Sequence, residues 1–170
     1  MPPTFDHRKF FAGHRSRFGP LPQDLVDAIE TLLGEIERDN RFARTESDRR
    51  QLAYCLATFK WETAHTLSPI DERGSAKQLT GRRNYSKAKA LTGVDLLSQP
   101  DRAKEPALAY EIAVQGMKDG WFTSRKLDQF IKNDVAVYEN ARPIINGHDK
   151  AQTIADMKRR FSEALLPALQ

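Results

Sequence analysis

A single cysteine, Cys55, in 170 residues leaves no partner for an internal disulfide and no cysteine cluster for a metal. It lies in the apolar run "LAYCLATF" and reads as a buried, inert thiol. No apolar stretch approaches the ~20 residues that a membrane-spanning helix requires. The start of the chain, "MPPTFDHRKFFAGHR", has neither an apolar core segment nor a small-residue cleavage site, so it does not read as a secretory signal. The histidines, His7, His14, His65 and His148, show no metal-ligand spacing. They read as structural or exposed, and neither a metal nor a cofactor is expected. Repeats and low-complexity segments are absent from the sequence, and almost nothing alternates in the manner of a strand.

What the sequence does contain is helical periodicity on a modest apolar content of 39%. "PLPQDLVDAIETLLGEIERDN" places Leu25, Ile29, Leu32, Leu33 and Ile36 at helical spacing, with Pro22 suited to a first turn. A second helix starts near Thr45, where "TESD" sets an acid three residues after a threonine, a variant of the capping box. It carries Leu52, Leu56 and Phe59 on one stripe and is expected to end near Thr66, before Pro69. Residues 68–81 read as a loop. "TGRRNYSKAKALTG" reads as a short helix stopped by Gly93. "VDLLSQPD" reads as a connector and "RAKEPALAYEIAVQGMKDGW" as a helix with Leu108, Ile112 and Met117 inward. "SRKLDQFI", "DVAVYENARPIING" and "DKAQTIADMKRRFSEALL" supply further helices, while Trp121 and Phe122 read as core. The expectation is an all-α, mainly helical chain forming one domain over residues 1–170.

The net charge of +4 favours anionic partners only weakly. The basic residues are scattered as Arg15 and Arg17, Arg49 and Arg50, Arg82 and Arg83, and Lys158 to Arg160, with no block of the kind that binds nucleic acid. Glu62 stands out because it lies beside Trp61 at the end of an otherwise apolar helix, where a charge is costly unless it is paired or used.

"LATFKWETAHTLSPI", "QLTGRRNY", "GVDLLSQPDRAKEPALAYEIAVQGMKDGWFTSRKL" and "NARPIING" occur in an order that resembles the glycoside hydrolase family 19 group, its endolysin and lysozyme-like branch above all. The resemblance spans residues 5–165. It implies a lysozyme-like, two-lobed helical domain with a substrate cleft. It also implies hydrolysis, with inversion, of β-1,4 links between N-acetylated amino sugars in peptidoglycan or chitin. Carried over by motif, Glu62 matches the general acid, whose proton affinity a partly apolar setting beside Trp61 would raise. Gln78 and Thr80 match the pair whose hydroxyl holds the attacking water. Asn84 and Tyr85 match residues lining the sugar cleft, and Asn146 matches an asparagine that contacts substrate. Arg142 has two readings, one orienting a carboxylate in the cleft and one making a structural ion pair.

The sequence departs from the family between Ile70 and Gln78, where only "DERGSAK" replaces a longer loop that carries the general base in chitinases. Asp71 and Glu72 are the nearby acids, and Asp71 is the first choice for the base because endolysin-like members place an acid at this offset. The resulting expectation is a peptidoglycan hydrolase acting as a monomer, made without a signal peptide and reaching the cell wall through a holin or another release route. It neither binds nucleic acid nor inserts into a membrane. A chitinase on the same scaffold and a non-catalytic cell-wall-binding module, its base lost with the loop, are the alternatives.

Overall fold

A computed structural model describes residues 4–42, 45–63, 82–132, 135–145 and 150–169; for 135 and 136 it describes the backbone alone. The described chain is mainly helical, as expected. In order it forms α1 (His7–Phe18), α2 (Gln23–Arg38), α3 (Glu46–Glu62), α4 (Arg82–Thr92), α5 (Pro106–Asp119) and α6 (Ala151–Leu165). Short 3-10 turns span Asn40–Phe42, Pro100–Lys104, Leu127–Gln129 and Glu139–Ile144. No helix among the described residues is long and apolar enough to cross a membrane.

The central element is α3. Leu52, Ala53, Tyr54, Cys55, Leu56 and Ala57 are all buried, so this helix meets protein on every side. Burying a leucine side chain in this way contributes about 1.5–3 kcal/mol. The capping box read in "TESD" is formed: the Asp48 amide donates to Thr45 Oγ1 at 3.0 Å, and the Thr45 amide donates to Asp48 Oδ2 at 2.9 Å. At its other end α3 stops at Glu62, short of the expected Thr66. The Thr63 amide and its hydroxyl both donate to the Phe59 carbonyl, at 3.0 and 2.7 Å. That side-chain bond competes for the last turn of the helix. The Cys55 thiol is buried, and burial pushes it up to about 12, so it is inert as expected.

α6 packs along α3, and α1 packs along α6. The Asp6 amide donates to the Ala168 carbonyl at 2.7 Å, and Phe5 pairs with Leu169 in an antiparallel bridge, which ties the two described ends of the chain together. α1 was not expected from the sequence. It is capped by Asp6, whose carboxylate accepts from the Lys9 amide at 3.0 Å, and it buries Phe10, Phe11 and His14.

A second correction falls on the segment after α5. "SRKLDQFI" makes only a 3-10 turn and then enters a strand, and "DVAV" begins as its partner. Ile131–Lys132 pairs antiparallel with Val135–Ala136. β-branched residues flank this pairing, which suits strand better than helix. "ENARPI" continues as a 3-10 turn with Pro143 inside it rather than as an α-helix. Pro143 has no amide to give to a helical ladder.

The apolar side chains form two clusters. The larger joins α1, α2, α3, α6 and one side of α5 through residues such as Phe10, Ile36, Leu56, Val114 and Phe161. The smaller contains Ala88 of α4, Leu96, Ala103 and Ile112 of α5, with Tyr85, Val94, Leu108 and Trp121 packed against it. α5 therefore serves both clusters. It is held to the end of α2 by a polar network: Arg41 donates to Asp39 and Glu111, and the Tyr110 hydroxyl donates to Asp39 at 2.8 Å. Burial works against the Asp39 carboxylate, but the Arg41 guanidinium outweighs it and holds its pKa below the usual carboxylate value.

Candidate active site

Glu62 is the last residue of α3. Backbone carbonyls crowd the negative end of a helix there, which favours cations over carboxylates. The cation is supplied by Arg142, whose Nη1 donates to Glu62 Oε1 at 2.8 Å from 80 residues further along the chain. The Arg142 side chain is only 4% exposed and the Glu62 side chain 22%, so the pair sits at a boundary with the arginine beneath and the carboxylate partly reachable from solvent. Of the two readings of Arg142, an ion pair is therefore present, and its carboxylate is Glu62 itself.

The turn Glu139–Ile144 presents Arg142, and that turn is anchored from α5. The segment after Gly120 runs as Trp121, Phe122 and Thr123. Trp121 packs against the smaller cluster and Phe122 against the larger. The Thr123 hydroxyl donates to the carbonyls of the Arg142 turn, to Pro143 and, at 3.0 Å, to Ile144. Three consecutive side chains thus join α4's cluster, the main core and the arginine turn. Gly120 makes the reversal possible: its φ is +72, in the left-handed region that closes α5. Gly116 leaves space for Phe122, because a Cβ there would come within 2.6 Å of Phe122 Cε2. Much of "GMKDGWFT" is therefore explained by packing.

Tyr54 was not singled out from the sequence. It lies two turns before Glu62 on α3 and is fully buried. Burial pushes its phenol up, and the charges of Arg142 and Glu62 both act on it, the first lowering and the second raising. The i, i+8 spacing of Tyr54 and Glu62 is the signal that would have found it.

Asn84 and Tyr85 lie on α4 and are both half-buried. Tyr85 helps line an open pocket of about 520 Å³ together with Arg82, Leu96, Leu97 and Pro100. Of the expected site residues, Glu62 and Arg142 are brought together. Asp71, Glu72, Gln78, Thr80 and Asn146 lie outside the described residues, as do His65 and His148. Among the described residues, no group of three or more histidine, cysteine or acidic side chains is arranged to hold a metal ion. His7 and His14 have structural surroundings. His7 bonds Glu30 at 2.6 Å, and His14 stacks among Phe10, Phe18 and Phe161.

Comparison of the chain with known protein families, with characterised proteins and with solved structures finds no match. The functional reading rests on the residues themselves.

Proposed function

We propose that the protein is a glycoside hydrolase that cleaves β-1,4 bonds between the N-acetylated amino sugars of peptidoglycan, with inversion and with Glu62 as general acid. The observation that carries this reading is the 2.8 Å bond from Arg142 to Glu62. Two motifs of the family resemblance, "KWET" and "NARPI", meet at one carboxylate although they are far apart in the chain. The buried guanidinium fixes the position of a partly accessible carboxylate before substrate arrives.

In the reaction Glu62 protonates the glycosidic oxygen as the bond from the sugar carbon to that oxygen breaks. Water attacks the same carbon from the opposite face and gives its proton to a second carboxylate. Such carboxylates are separated by about 6.5–9.5 Å, which leaves room for the water. Asp71 is proposed for this role, with Glu72 second, and Thr80 for holding the water. Gln78, Asn84, Tyr85 and Asn146 are proposed to contact the sugars. Arg142 is a positioning residue: it orients the Glu62 carboxyl and balances the charge left there when the proton departs.

A two-lobed arrangement with a cleft is supported by the two apolar clusters that share α5. The net charge of +4 suits an anionic wall polymer. The protein would act as a single chain without a cofactor and would reach the wall through a holin or a similar route. The test compares release of new reducing ends from purified peptidoglycan and from soluble chitin oligomers. Release from peptidoglycan alone is expected. Release from chitin alone makes the protein a chitinase, and wall binding without release makes it a binding module.

A further inference from the structure

Residues 82–105, comprising α4, the connector and the Pro100–Lys104 turn, carry six basic and three acidic side chains, which is three of the chain's net +4. Each of the three acids is occupied. Lys89 pairs with Asp95 at 3.3 Å, Lys104 with Asp101 at 2.8 Å and Arg102 with Glu105 at 2.7 Å. That leaves Arg82, Arg83 and Lys87 with no carboxylate among the described residues. Arg82 and Arg83 are exposed, and Lys87 lies over the Trp121 ring at 5.6 Å. The surplus positive charge is therefore concentrated on α4.

The same helix borders the open pocket of about 520 Å³. Its lining is mixed in a particular way. Arg82 supplies a planar donor fork, Tyr85 supplies a ring and a hydroxyl, and Leu96, Leu97 and Pro100 supply an apolar wall. Leu97, 44% exposed, adds accessible apolar surface to that wall. A neutral sugar polymer has no use for a guanidinium that meets no carboxylate among the described residues, set beside such a wall. A short peptide with aliphatic side chains and carboxylates fits both halves, with aliphatic groups on Leu96, Leu97 and Pro100 and a carboxylate in the fork of Arg82.

The geometry points to a binding site on α4 for the acidic peptide branch that peptidoglycan carries and chitin does not. This inference rests on the proposed glycosidase reading and supplies its preference between the two polymers. The peptide hangs from one sugar of each repeating pair. A pocket on the smaller cluster that holds the peptide sets which sugar is presented, and so which of the two alternating bonds is cut.

The test uses the full chain as Glu62→Gln, so that ligands are not turned over, with calorimetry on three probes. They are the N-acetylglucosamine–N-acetylmuramic acid disaccharide carrying its peptide, the same disaccharide with the lactyl group capped as a neutral amide, and the free peptide. The peptide-bearing disaccharide is expected to bind about tenfold more tightly than the amide, the size of one good charge-assisted contact. Adding Arg82→Ala or Leu97→Asp is expected to bring the two affinities to within about twofold of each other. Both positions are exposed, so the variants keep the fold, which circular dichroism checks. Equal binding of peptide and amide forms, or a preference that survives both substitutions, overturns the inference. Reducing-end release by the unsubstituted protein separates the two ideas. Release with no peptide preference removes the pocket's role and keeps the glycosidase. Arg82-dependent binding of the free peptide without any release keeps the pocket and removes the glycosidase.

Discussion

Arg142 reaches back 80 residues to donate a 2.8 Å hydrogen bond to Glu62, and it does so from a side chain that is almost wholly buried. Arg142→Ala removes the partner of the carboxylate at the end of α3 and leaves a cavity where the buried side chain lay, so it is expected to cost about 2 kcal/mol. Arg142→Lys keeps the charge but loses the planar fork, so Glu62 is held less well. Misplacement of a reacting group by about 1 Å can cost about 10²-fold in rate. Arg142→Lys is therefore expected to lower kcat by about that factor, with a much smaller change in urea midpoint than Arg142→Ala. Full activity in a folded Arg142→Lys protein would show that the pair is structural only.

The second carboxylate is tested by Asp71→Asn and Glu72→Gln on purified peptidoglycan. Acid–base groups contribute about 10²–10⁴-fold, so Asp71→Asn is expected to lose rate in that range and Glu72→Gln to lose little. A loss confined to Glu72→Gln exchanges the two roles. If both variants keep full rate, neither acid activates the water.

Gly116 offers a test in which helix propensity and packing disagree. Alanine is the better helix former by about 1 kcal/mol. Yet its Cβ would drive into the Phe122 ring, within 2.6 Å of Cε2, and overpacking of this kind costs about 1–3 kcal/mol. Gly116→Ala is expected to lower the thermal midpoint and to reduce activity, because Thr123 beside Phe122 anchors the Arg142 turn. A rise in midpoint would mean that the ring moves aside freely and the segment is not the rigid link described.

Two histidines give opposite pH dependences. His14 is buried among aromatic rings, and both ring nitrogens lack a hydrogen-bond partner among the described residues. Burial first, then Lys60 on α3 and Arg15 on α1, lower it from 6.5 to about 4. Between those values the unfolded chain binds the extra proton, so the stability due to neutral His14 is full above about 6.5 and is lost as pH falls towards 4. From about pH 7.5 to about pH 5 the loss amounts to about 2 kcal/mol. His7 behaves in the reverse sense. Burial opposes its protonation, but Glu30 and Glu37 outweigh burial and raise its pKa. Its contribution is full below 6.5 and is lost as pH rises through the raised value. Urea unfolding across this range is expected to show a shallower dependence for His14→Gln and a steeper one for His7→Gln than for the unsubstituted protein. The same slope in all three would remove both assignments.

The sequence made some of these elements plain and hid others for physical reasons. "TESD" announced α3 because a capping box is a local pattern, and Thr45 and Asp48 complete it without help from the rest of the fold. Gly93 ended α4 for the same reason, with φ at +72. α1 was obscured because Arg8, Lys9, Arg15 and Arg17 break the apolar impression, and His14 sits on the buried stripe where an apolar residue is expected. The strand pair Ile131–Lys132 and Val135–Ala136 is too short to alternate visibly. At the candidate site Glu62 was legible as a charge out of place on an apolar helix. Its partner was open between two roles, because contacts across 80 residues leave no mark in local spacing.

The central claim, that Glu62 is the proton donor of a glycosidase, is tested most directly by mass spectrometry of the products from purified peptidoglycan, with Glu62→Gln alongside the unsubstituted protein. The expected result is new sugar reducing ends from the unsubstituted protein. Glu62→Gln should lower the rate by about 10²–10⁴-fold while leaving the helical circular-dichroism signal unchanged. Equal release by a folded Glu62→Gln protein, or no reducing ends from the unsubstituted one, would contradict it.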